Sequence, residues 1–123
     1  MNAKVVLVAR ILVAIITIVF GANKFLSFMP AMDLEGDAQA YFGALMSVNL
    51  MPLIAIIEIV TGVAMLANRY VGWAIVLSAP IAFNALWFHI MLDPANLAPA
   101  AVWVVLLIII FLGNRAKFAG LSK

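Results

Sequence analysis

The sequence predicts an all-α membrane protein: four transmembrane helices in an antiparallel bundle, with a short interfacial helix in the first outer loop. Three observations carry this. Apolar residues make up 68% of the 123-residue chain and charged residues 10%, with a mean hydropathy of +1.25, whereas a soluble domain has about half and about a quarter. The apolar residues gather in four runs of near-membrane length. The basic residues fall almost entirely on one side of those runs.

A hydrocarbon core of about 30 Å takes about 20 helical residues, with about 17 as the lower limit. The first run, Val5 to Ala22, predicts a span of roughly 5–24. It is expected to be a span rather than a cleaved leader. It is longer than a leader's apolar region, contains Arg10, and puts bulky Phe20 three residues before the cleavage point after Ala22. Next comes "EGDAQAYFGALM", where Tyr41, Leu45 and Phe42 share a helical face and Asp37 stands ready to cap the start. It reads as a helix at the membrane surface with Tyr41 in the interfacial belt, either a plain cover for the bundle mouth or a functional lid.

The second run, Pro52 to Ala67, is short and borrows "ALMSVNLM" to reach roughly 48–67. The third runs from Tyr70 to Leu92, and the fourth from Leu97 to Leu112, spanning roughly 97–113. No linker, repeat or low-complexity tract divides the chain, so residues 1–123 form one domain.

Lys4, Arg10, Arg69, Arg115, Lys117 and Lys123 fall on one side, six of the seven basic residues. Asp33, Glu35, Asp37 and Asp93 fall on the other. The positive-inside rule then predicts a multi-pass membrane protein with both termini cytoplasmic and the acidic loops outside. The bilayer is the expected partner. The basic residues are read as topology signals rather than a patch, so nucleic acid is not expected. With no cysteine the chain offers no disulfide, thiolate or iron–sulfur ligand. One histidine and scattered carboxylates make no metal-ligand set, and none is expected.

The informative residues are the polar ones inside the runs. Arg10, Thr17 and Lys24 are seven apart and form one stripe on the first span, with Gly21 beside it. Glu58, Thr61, Gly62 and Met65 share a face of the second. On the third, Pro80, Asn84 and Phe88 are aligned, His89 is turned about 140° from Asn84, and Pro80 removes a backbone donor. The fourth span carries no ionisable group and reads as packing.

At ~1.5 Å rise per residue, Glu58 and Asn84 fall a few ångströms outward of the midplane. Lys24 and His89 fall roughly 12–15 Å outward, and Arg10 roughly 6 Å inward. Asn23, Lys24, Glu58, Asn84 and His89 are therefore expected to line one pocket opening outward, with Arg10 the competing partner for Glu58. Each residue also has a plainer reading. Lys24 and Arg10 can snorkel, His89 can be an interfacial side chain, and Asn84 can be an interhelical hydrogen bond. Glu58 must be neutral, paired or in a polar cavity, because an unpaired carboxylate at that depth costs at least a few kcal/mol.

Three stretches in order, "FGANKF", "PLIAIIEIVTGVAMLANRY" and "APIAFNALWFHIMLDP", resemble the DoxX/DoxX-like family of small four-helix membrane proteins. The likeness runs from "ARILVAII" to "NRAKF", and the positions matching the family's polar pattern are Arg10, Asn23, Lys24, Glu58, Asn84 and His89. The resemblance implies an inner-membrane bundle associated with quinone-dependent thiosulfate oxidation and membrane redox assemblies. Any sulfur chemistry would have to lie on a partner, since this chain has no cysteine.

Three readings stay open. One is an accessory subunit that binds a quinone-like molecule without covalent attachment and serves membrane or peripheral redox proteins. There Lys24, Asn84 and His89 would donate to a carbonyl, Glu58 would relay a proton, and Phe83, Trp87 and Phe88 would flank the ring. Another is a non-catalytic scaffold. The third is a small transporter or proton path. A homo-oligomer is compatible with each, and the sequence alone does not decide whether the chain is an enzyme.

Overall fold

The computed structural model describes residues 2–122; Lys123, counted above among the basic residues, lies outside them. Five α-helices are present among the described residues, with no strand: α1 Ala3–Leu26, α2 Gly36–Ser47, α3 Leu50–Ala67, α4 Val71–Leu92 and α5 Leu97–Gly113. A 3₁₀ turn, Pro94–Asn96, leads into α5, and a 3₁₀ stretch, Arg115–Ser122, follows it. Helices α1, α3 and α4, and α5 with its leading turn, are long and apolar enough to cross a membrane. The chain is a multi-pass, all-α four-helix membrane protein.

Helix boundaries follow local chemistry. The side chain of Asn2 accepts a hydrogen bond from the Lys4 amide at 2.8 Å and caps α1. At its far end Ser27 turns left-handed and its N–H donates to the Asn23 carbonyl. The three-residue link between α3 and α4 is tight enough to put both Asn68 and Tyr70 at positive φ, 55° and 56°. Asparagine tolerates that conformation readily, and tyrosine adopts it at some cost. Asp37 is not the cap of α2: Glu35 holds that position without a side-chain bond. Asp37 lies within the first turn, where a carboxylate still meets the positive end of the helix.

The spans form a ring in the order α1, α3, α4, α5, each packed on two neighbours. The α1–α3 contact is the closest. A Cβ on Gly21 would lie 2.8 Å from Ile59 Cγ1 and 3.0 Å from the Ala55 carbonyl oxygen. One on Gly62 would lie 2.5 Å from Thr17 Oγ1 and 2.6 Å from Ile18 Cγ1. Each glycine therefore admits the opposite backbone, the small-residue device that lets membrane helices approach closely. Buried Thr17 and Thr61 satisfy their hydroxyls on their own helices, donating to Val13 and Ile57 carbonyls at 2.8 Å.

A core of Ala9, Val13, Ala14, Met65, Ala74, Ile75, Leu107 and Ile110 fills the bundle. Large apolar residues such as Val8, Ile15, Val60 and Val105 point outward, as a hydrocarbon solvent permits. Gly113 at the end of α5 packs on Val6 at the start of α1, so the first and last spans begin and finish at the same end of the bundle. Arg69, between α3 and α4, belongs to that basic end. Helix α2 and the acidic loops occupy the other.

Candidate functional site

At the α2 end the four spans diverge around a cavity of about 540 Å³, within the size range of ligand pockets. Its walls come from every span. Helix α2 and the stretch 27–32 close over it, contributing Tyr41, Phe42, Met29 and Met32.

The central contact joins α1 to α3. Lys24 Nζ lies 2.7 Å from Glu58 Oε1, and the pair is 22% and 4% exposed. The ammonium is the partner of that oxygen, and the contact is ionic. Gly21, one turn earlier, permits it: a Cβ there would stand only 3.2 Å from Glu58 Cβ. Lysine's long stem lets its head reach down from the membrane boundary, so groups expected in separate layers meet in one.

Two further polar pairs hold the roof and rim. Asn84 Nδ2 donates to Tyr41 Oη at 2.6 Å, tying α4 to α2. Tyr41 also stacks on Phe88 with centroids 5.0 Å apart and 28° between planes, and Phe42 meets the same ring edge-on. On the rim, His89 Nδ1 lies 3.3 Å from Asp93 Oδ2, while Asn96 donates to both Asp93 carboxylate oxygens. His89 Nδ1 is thus committed to Asp93, whose backbone oxygen also lies 3.3 Å away. Asn23 Oδ1 accepts from the Met29 amide at 2.8 Å and folds the 27–32 stretch back across the mouth.

Asn23, Lys24, Glu58, Asn84 and His89 all line this cavity. Arg10 does not, and two corrections begin with it. Arg10 Nη1 donates to the carbonyls of Met65 and Leu66 in the last turn of α3, the first of these a short contact. Those carbonyls lie at the negative end of the helix dipole, Met65 also accepting from the Asn68 cap amide at 3.2 Å, and they hold the guanidinium at the basic end, away from Glu58. The second correction concerns the rings. Phe88 borders the cavity, but Phe83 and Trp87 stack on each other and are 62% and 54% exposed on the lipid side. On the helix Phe83 and Trp87 lie about 100° and about 60° to one side of Asn84, whereas Phe88 lies about 40° to the other, so the pair turns away.

Tyr41 and Trp103 belong to the site and were not among its predicted residues. Trp103 shows that α5 does more than pack: it lines the cavity, and its buried Nε1–H has no partner among the described residues. A buried indole ordinarily finds an acceptor, and that rule was the one available signal for it. No group of three or more potential metal ligands gathers among the described residues.

Comparison with models of known protein families, with curated proteins and with solved structures finds no match. Fold and site together define a four-helix membrane protein whose buried ion pair borders a largely apolar cavity at one end.

Proposed function

We propose that the chain is a DoxX-like inner-membrane protein that binds a small amphipathic molecule with a quinone-like ring, as an accessory subunit of a membrane redox system. In this reading the basic end faces the cytoplasm and the cavity opens outward. The observation that carries it is the cavity, apolar over most of its wall with a few convergent polar groups, the usual composition of a small-molecule site. Lys24 and Glu58 cancel in charge, which favours a neutral head over an ion. Phe88, Tyr41 and Phe42 supply aromatic surface that suits a flat ring. The bound quinone would supply the electron chemistry; the chain's residues would hold and orient it. The redox setting rests on the family resemblance alone.

The test is purification in mild detergent followed by organic extraction and mass spectrometry. Quinone retained by the wild type and lost from Asn84→Leu and His89→Phe is the expected result. Bulk phospholipid alone in every preparation would favour the scaffold reading.

A further inference from the structure

Read along the chain, the basic residues are scattered; folding gathers Lys4, Arg69, Arg115 and Lys117 at one end of the bundle. The Arg115–Ser122 stretch turns back beneath the start of α4, and a Cβ on Gly72 would lie 3.9 Å from Phe118 Cζ and 4.0 Å from Lys117 Cδ. Phe118 is pinned there by Phe111, with ring centroids 5.2 Å apart. A groove of about 210 Å³ results, lined by Gly72, Trp73, Val76, Lys117 and Phe118. Trp73 is 68% exposed beside it.

Among the described residues, the side-chain charge at this end is of one sign. Lys4, Arg69, Arg115 and Lys117 are exposed here, while the acidic residues Asp33, Glu35, Asp37, Glu58 and Asp93 lie towards the α2 end. Lys117 spends one donor on Asn114 Oδ1, at 2.8 Å, and keeps two. Arg69 precedes Gly72 by three residues and Arg115 precedes Lys117 by two, and neither forms an ion pair among the described residues.

We propose that this groove is a binding site for one anionic phospholipid of the adjacent leaflet. The phosphate would lie against Lys117, with Arg69 and Arg115 nearby, and the upper acyl chain along Trp73, Val76 and Phe118. Three properties single out a lipid. The groove is at headgroup level where α4 enters the membrane, its walls are apolar and aromatic, and its charged edge is wholly cationic. Basic pockets beside transmembrane helices bind acidic headgroups in this manner, and an interfacial tryptophan favours the same boundary.

The test uses the full chain in phosphatidylcholine vesicles doped with brominated phosphatidylglycerol or brominated phosphatidylcholine. Quenching of Trp73 is read in a Trp87→Phe, Trp103→Phe background. The acidic lipid should quench at several-fold lower mole fraction, and the preference should shrink as salt rises. Lys117→Gln should weaken it on the order of fivefold, the worth of one basic side chain at an anionic surface. Gly72→Leu, which fills the groove without changing charge, should weaken it as well. Lys4→Gln removes the same charge from α1, which does not border the groove, and should have little effect. The absence of any preference for the acidic lipid would overturn the proposal. So would equal losses in Lys4→Gln and Lys117→Gln, because that is diffuse attraction to the whole end of the bundle. Should the double-tryptophan background fail to fold, native mass spectrometry of the wild type and Lys117→Gln reads the same selectivity.

Discussion

Lys24 and Glu58 are joined at 2.7 Å across the α1–α3 contact, and they are unequally buried. Lys24 retains a route to the membrane boundary, whereas Glu58 is enclosed. Removing one member of a buried pair strands the other charge, at about 3–5 kcal/mol. Lys24→Met should therefore lower thermal stability in detergent by about 3 kcal/mol or more. Glu58→Gln should lower it less, because the freed ammonium can snorkel. The double variant should recover most of the loss from Lys24→Met. Equal losses in the two single variants would contradict this asymmetry.

Gly62 faces Thr17 and Ile18 across the same contact. Gly62→Ala should cost about 1–3 kcal/mol by overpacking, with Gly21→Ala similar or milder. Gly43→Ala in α2 meets nothing within 4 Å and should be neutral or slightly stabilising, since alanine is the better helix former. Detergent melting curves of the three variants check the ranking.

Asn84 and Tyr41 form the bond that fastens α2 over the cavity. Asn84→Leu and Tyr41→Phe should each cost about 1 kcal/mol or less, with a double-mutant cycle showing that the losses are shared rather than additive. Hydrogen exchange should rise in α2 and remain unchanged in α1 and α3. Independent effects of the two substitutions would mean that the bond does not hold the roof.

For orientation, a reporter fused after Lys123 should read cytoplasmic and one inserted near Glu35 extracytoplasmic, as the basic asymmetry requires. The opposite result would place the cavity at the inner face.

The spans were legible from hydropathy, and their ends moved by only a few residues: α1 runs to Leu26 and α3 begins at Leu50. Axial depth follows from the rise per residue, which is why Glu58, Lys24, Asn84 and His89 could be assigned to one half of the bundle. Rotation between helices is not encoded that way. Arg10 could reach towards Glu58 or towards the end of α3, and only the position of the Met65 and Leu66 carbonyls decides between them. The ring order, the fold of residues 27–32 and the location of Trp103 depend likewise on contacts between segments far apart in sequence.

The division of charge between α1 and α3 also bears on how the protein is made. Synthesis runs from the N-terminus, so the helix carrying Lys24 can enter the bilayer before Glu58 has been added to the chain. A lysine at a helix end waits at little cost, with its head among the lipid phosphates. A carboxylate in the middle of a span has no such refuge. The member that tolerates solitude thus comes first, and the member that does not arrives to find its counterion already in place.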